Sequence, residues 1–304
     1  MSMKFRAHET FFIRKGWLSK GMKNVIDNPT VFIDKMNNPM DVLGIGANMV
    51  KSLRYWLQVT GLTEEGKGKV REQRLTDLGA CIYEYDRYLE ELGTLYLVQY
   101  KLATNPENAT AWYYFFNHFN MSEFSKEDFI LQLQKYIAEK DSKENKGHAV
   151  RSLEDDFNCI INTYLPRYKS NPTRVSAENN IDCPLGELGL VDLVTKKYYR
   201  KAMPGIKTIN PWIALAVITD QSKSKKEIAL NSLLVDECSI GKVFNLDALG
   251  LLEVLRAIEK LGEIKVIRTA GLDVVQFHNQ RTFMECVEYY YSNLNLNDWA
   301  GSEN

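Results

Sequence analysis

Six polar residues share one side of a helical repeat between Ala47 and Thr60: Asn48, Lys51, Ser52, Arg54, Tyr55 and Gln58. Arginine can meet a guanine edge with two N–H groups, asparagine or glutamine can pair with adenine, and lysine can hold a phosphate. The spacing therefore predicts a helix laid in a major groove of double-stranded DNA. Arg54 would face a guanine, Asn48 or Gln58 an adenine, and Lys51 the backbone. Met49, Val50, Leu53, Trp56 and Leu57 form the opposite, anchoring stripe. Lys67, Lys69, Arg71 and Arg74 follow in a Gly-punctuated stretch that would lie along phosphates, and Arg14, Lys15 and Lys20 precede it. The competing reading is a solvated polar face, or a module that contacts protein.

His8 and Glu9 are the candidates for catalysis. They could bind a metal or act as a base beside a phosphate. The structural alternative, which a lone His-Glu pair favours, is that Glu9 and Thr10 cap or pin the N-terminal segment. An acid two residues before a lysine, the spacing of metal-dependent nucleases, occurs at Glu65/Lys67, Asp141/Lys143, Glu144/Lys146 and Glu263/Lys265. That is about the frequency composition alone gives, so it carries no information. The sequence holds no P-loop, Gly-x-Ser-x-Gly, His-Glu-x-x-His or Gly-rich dinucleotide fingerprint, which argues against ATP use and hydride chemistry. The run Trp112-Tyr113-Tyr114-Phe115-Phe116 could stack bases, but buried helix is the expected role.

A net charge of −1 hides strong segregation. Met1 to Asn24 carries six bases against Glu9 alone, and Asn48 to Arg74 six bases against three acids. Leu75 to Leu92 then swings to five acids and one base. Local clustering decides what a phosphate backbone feels, because exposed charges are screened beyond about 8–10 Å. The five cysteines are scattered and form no Cys-x-x-Cys pair, so neither a zinc ribbon nor a disulfide framework is expected. No apolar run is long enough to span a bilayer, and the first residues lack the apolar core of a signal peptide. A soluble protein of the reducing cytoplasm, with no membrane partner, is the expectation.

The elements that must position these residues follow from periodicity and breakers. Trp17 to Asp27 is expected as a first helix, Val31 to Met36 as a short second one capped by Thr30, and Ala47 to Thr60 as the third. A basic hairpin-like segment and a helix opened by Leu75-Thr76-Asp77-Leu78-Gly79 come next, the order of a winged helix-turn-helix. Further on, helices are expected at Ser125 to Gly147, Leu153 to Tyr164, Pro211 to Asp220, Glu227 to Val235 and Asp247 to Leu261. Strands at Ile264–Thr269 and Leu272–Phe277 meet at Ala270-Gly271. The expected class is α+β and predominantly helical. It comprises an N-terminal winged helix-turn-helix (1–92), a central helical region (93–165) and a second winged-helix-like module (181–304). The last exposes Glu253, Arg256, Glu259 and Lys260 on its helix, a face less suited to DNA.

Several motifs together resemble a known family. They are His8-Glu9-Thr10-Phe11, Arg14-x-Gly16-Trp17-Leu18-x-Lys20-Gly21 and Leu43-Gly44-Ile45-Gly46-x-Asn48-Met49-Val50-x-Ser52-Leu53-Arg54-Tyr55-Trp56. Leu75-Thr76-x-Leu78-Gly79, Asp86-x-Tyr88-Leu89-Glu90, Gly93-Thr94-Leu95 and Trp112-Tyr113-x-Phe115-Phe116-Asn117 continue them, and Pro184-Leu185-x-Glu187-Leu188-Gly189-Leu190 is a weaker match. The pattern resembles the domain-of-unknown-function family that includes the SspB-type proteins of single-strand DNA phosphorothioation systems. The resemblance implies work beside sulfur-transfer and ATPase subunits in antiviral defence, with one DNA strand nicked so that sulfur can enter. It implies Mg2+ or Mn2+ if the chain nicks, and brings no agreed catalytic set. The rival expectation is a non-enzymatic DNA-binding scaffold or transcriptional regulator.

Overall fold

A helix with one apolar stripe must bury it, and the first three helices do so against one another. In the computed structural model, which describes residues 3–66, 68, 71–140, 148–165, 183–269 and 272–300, helix α1 (Trp17–Asp27) buries Trp17, Leu18, Met22 and Val25. It packs on α2 (Pro39–Leu43) and on α3 (Ala47–Val59), whose Val50, Leu53, Trp56 and Leu57 are buried as its spacing predicts.

The helix expected at Val31–Met36 does not form. Asn28 Oδ1 accepts from the Thr30 amide and hydroxyl, and Asp34 Oδ1 accepts from the amides of Met36 and Asn37. These side chains offer the backbone turns in place of a helical ladder. The helix starts later, where Asn38 accepts from the Met40 amide and Pro39 occupies the first turn.

After α3 the chain forms the expected hairpin. Strand β1 (Thr63–Glu65) pairs antiparallel with β2 (Gln73–Leu75), with Glu64 opposite Arg74. Helix α4 (Asp77–Tyr85) is capped by Thr76, whose hydroxyl accepts from the Gly79 amide. Gly79 is required there, since a Cβ would sit 1.9 Å from the Leu62 carbonyl oxygen.

The centre is helix α5 (Leu92–Ala103) against α6 (Thr110–Asn117). Trp112 to Phe116 are all buried, so the aromatic run is core and not a stacking platform. Helices α7 (Lys126–Lys140) and α8 (Val150–Tyr164) pack beside them. A small antiparallel sheet not legible in the sequence joins β3 (Glu123–Phe124), β5 (Tyr199–Lys201) and β4 (Val191–Leu193), in that order.

The C-terminal part contains α9 (Pro211–Ser222), β6 (Glu227–Ala229), α10 (Leu230–Val235), α11 (Ile240–Val243) and α12 (Ala248–Lys260). The strands β7 (Ile264–Thr269) and β8 (Leu272–Phe277) and helix α13 (Phe283–Ala300) complete it. The first three residues of the helix expected at Glu227–Val235 are a strand, because they complete a β6-β8-β7 sheet with Ile228 opposite Val275. Ala270 and Gly271 lie outside the described residues. Helix α13, absent from the sequence reading, packs on α9 and α4. Its Tyr291 hydroxyl lies 2.6 Å from Thr94 Oγ1. Gln99 Nε2 donates to the Val243 carbonyl at 3.0 Å, and Tyr100 donates to Asp220 at 2.7 Å. One hydrophobic core runs through all three parts of the sequence. The fold is α+β and mostly helical. No described helix is long and apolar enough to cross a membrane.

Candidate nucleic-acid interface

Helix α3 begins at Gly46, whose extended backbone supplies no capping side chain. Its first turn contains no acid, so no carboxylate of the helix itself faces its leading amide N–H groups and the positive end of its dipole. Asn48 and Lys51 are exposed along this turn. Lys51 Nζ lies 3.5 Å from Asn48 Oδ1 and 3.9 Å from Glu9 Oε1, both long contacts of an exposed side chain. Lys20 is exposed on α1, and its ammonium approaches Gly44 in the bend that leads into α3. Lys15 is exposed. Arg14 is half-buried, with its guanidinium 5.2 Å from the Trp17 ring centre and 5.9 Å from that of Phe11.

The second half of the stripe is arranged differently. Arg54 Nε donates to Glu65 Oε1 at 2.7 Å, its Nη2 pairs with the same oxygen, and Gln58 Nε2 donates to it at 2.9 Å. A single carboxylate on β1 thus gathers two of the three side chains expected to read bases, Arg54 and Gln58, and holds the hairpin against α3. Arg71 and Arg74 are exposed, Arg74 paired with Glu72 at 3.0 Å. Lys67 and Lys69 lie outside the described residues.

Two expected contacts need correction. Ser52 and Tyr55 are buried, not flanking an exposed face. The segment before α1 lies across that side of α3: Ser52 Oγ donates to the Phe11 carbonyl at 3.3 Å, and Trp56 Nε1 donates to it at 2.9 Å. Burial pushes the Tyr55 phenol well above its usual range, helped by the nearby Asp156 carboxylate.

His8 explains how that segment is held. Its ring is buried, stacked at 6.1 Å on Trp56 and edge-on to Trp112 at 5.7 Å. Nδ1 accepts the Thr10 amide at 3.1 Å, which leaves the ring proton on Nε2, 2.6 Å from Asp156 Oδ1. The Asp156 carboxylate also accepts the Arg6 amide at 3.0 and 3.2 Å. Burial raises the Asp156 pKa above the usual carboxylate range, against the His8 and Arg6 hydrogen bonds that lower it. Glu9 points away, half-exposed and toward Lys51. His8 and Glu9 therefore do not converge, and the His8–Asp156 pair is closed off by backbone amides. The geometry is that of a pin. Among the described residues no three His, Cys, Asp or Glu side chains form a metal-holding group.

Sequence reasoning missed Asp156 and Glu65. Asp156 left a signal: it sits on the buried stripe of α8 with Leu153, Phe157 and Ile160, where an acid requires a partner. Glu65 left none, since its role depends on the hairpin folding back onto α3.

A family model described as "Protein of unknown function (DUF4007)" matches residues 5–291. No curated protein matches. Two solved structures are similar in fold. "Magnesium ion-bound SspB crystal structure" aligns with a TM-score of 0.81 and 24% identity, over 95% of this chain and 88% of that one. "SspB crystal structure" aligns with a TM-score of 0.82 and 23% identity, over the same shares.

Proposed function

The chain belongs to the DUF4007 family, and on that premise we propose that it is a double-stranded-DNA-binding member of a DNA phosphorothioation apparatus, docking through α3 as the recognition helix of a winged helix-turn-helix. One observation carries the DNA reading. The start of α3 has no capping side chain and no acid, and it presents exposed Asn48 and Lys51 beside Lys20. Free amides, a positive helix end and adjacent ammonium groups are what a phosphate backbone requires. The hairpin β1–β2 takes the place of a wing, with Arg71 and Arg74 exposed on it. The likeness in fold to SspB structures supports the phosphorothioation setting; sulfur-transfer and ATPase subunits as partners, and defence as the role, are proposed with it.

Within that setting the reaction would be nicking of one strand. The magnesium named for the similar SspB structure motivates it. Among the described residues no group of three His, Cys, Asp or Glu side chains marks where such an ion would sit. The exposed start of α3 serves equally a second reading, a non-enzymatic scaffold or transcriptional regulator that recruits the modification enzymes.

Two measurements test these readings. Lys51→Ala should weaken binding to every duplex alike and lower the salt slope by about one. Arg54→Ala should cost about 1–3 kcal/mol on a preferred site and less on random duplex. If both variants bind like the parent across a salt titration, α3 is not the reader. Purified protein with supercoiled plasmid and magnesium or manganese then separates the two roles. Open circles abolished by chelator support nicking, and unchanged plasmid supports the scaffold.

A further inference from the structure

A second basic cluster, none of whose residues belongs to α3, gathers around the loop that follows α6. Lys201 Nζ on β5 donates to the Phe119 carbonyl at 2.5 Å and lies 4.9 Å from the Phe115 ring centre. Lys242 Nζ on α11 donates to Asn120 Oδ1 at 3.2 Å. Lys140 closes the last turn of α7, with its ammonium 5.8 Å from the Tyr136 ring centre, and His118 lies 4.9 Å from that ring. Three elements thus bring three ammonium groups to the same loop.

We propose that this loop is a binding site for a phosphate group, with Lys242 and Lys140 at its surface and Lys201 behind them. Among the described residues Lys201 and Lys242 have no carboxylate within ion-pair distance. The carboxylate beside the loop, Glu237, is already engaged. Its Oε2 accepts from Tyr113 at 2.5 Å, and its Oε1 lies 3.3 Å from His118 Nε2. That His118 nitrogen is buried without a hydrogen-bond partner.

The loop is held in place. Asn117 Oδ1 accepts the Cys238 amide at 2.6 Å, and Cys238 takes a left-handed conformation that fixes Glu237 beside the loop. A buried ammonium crowded by another is unstable as a cation, and the Lys201 pKa is accordingly pushed down to about 7 by burial and by Lys242. Burial and the three lysines also lower the His118 pKa, against the opposing pull of Glu237. A bound phosphate would oppose both shifts by supplying negative charge.

His118 is therefore a reporter. The chain has four histidines, and buried His8 serves as an internal control for NMR. Inorganic phosphate titrated into the Lys51→Ala full chain should shift the His118 ring signal, leave that of His8 in place, and raise the His118 pKa. Lys242→Ala should weaken the phosphate response by about tenfold or more. Lys201→Met, which keeps the stem over Phe115, should reduce it too. A parallel titration with a short oligothymidylate lacking a terminal phosphate identifies the source. A response there assigns the site to a nucleic-acid backbone, and a response to inorganic phosphate alone assigns it to a free or terminal phosphate. The proposal is overturned if neither ligand moves His118, or if the response survives in Lys242→Ala. Because Lys51 is already removed, that failure would leave the α3 reading untouched.

Discussion

Helices α3 and α12 invite comparison, since each has 13 residues, follows shorter helices and leads into an antiparallel hairpin. Their ends differ in sign. At α12 the cap is Asp247, whose carboxylate accepts the Gly250 amide at 2.7 Å, and the exposed face carries Glu253, Arg256 and Glu259 as expected. At α3 the cap is Gly46 and the exposed residues are Asn48 and Lys51. The hairpins are tied back in opposite ways. Glu259 on α12 accepts the Val266 amide of β7, whereas Glu65 on β1 holds Arg54 and Gln58 of α3. One topology thus yields a helix start suited to phosphate and another that satisfies itself with its own carboxylate. Element order alone does not identify a DNA-binding helix.

The comparison can be broken most severely at Asp156. Helix α3 is covered by the N-terminal segment that the His8–Asp156 pair pins down. Asp156→Ala leaves buried His8 without its partner and should cost about 3 kcal/mol in a denaturant melt. Asp247→Ala removes only a cap and should cost about 1 kcal/mol. Equal losses would show that the pin is not what orders the first module.

Charge reversal separates the two exposed faces directly. Lys51→Glu should weaken duplex binding about tenfold at low salt, with a shallower salt dependence, while Arg256→Glu should change it less than about twofold. If the larger effect falls on Arg256, the roles of the two modules are interchanged.

A subtler variant gives α3 the cap of α12. Gly46 has extended backbone and open space around a Cβ, so Gly46→Asp introduces no clash. It should stabilise the fold by about 0.5–1 kcal/mol through a side-chain cap, yet weaken duplex binding several-fold. Thermal melts and fluorescence anisotropy on the same sample read both. Binding that strengthens with the melt would refute the phosphate role of this helix end.

The smallest expected effect is at Glu65. Glu65→Gln removes an acid beside the hairpin and releases Arg54, so duplex affinity should rise a few-fold, with a salt slope steeper by about one. Stability should fall by less than about 1 kcal/mol, because the pair is partly exposed. Weaker binding would mean that the carboxylate orients Arg54 for the duplex.

By itself the sequence determined the elements whose signals are local. The apolar stripe of α3, the helix starts near Thr76 and Asp247, the aromatic core of α6 and the paired strands β7 and β8 all follow from periodicity and breakers within a few residues. It also placed Lys51 and Asn48 on a solvent face, since helical spacing fixes direction relative to the stripe. Only the tertiary structure decided which polar residues stay available. Ser52 and Tyr55 are lost to a segment about forty positions earlier, Arg54 and Gln58 are gathered by Glu65, and His8 is taken inward by Asp156, 148 positions away. The sheet of β3, β5 and β4 was hidden for the same reason, as strands of two or three residues draw their stability from distant partners. A buried polar group must find a hydrogen bond wherever the fold supplies one, and nothing in the residues beside it says where that will be.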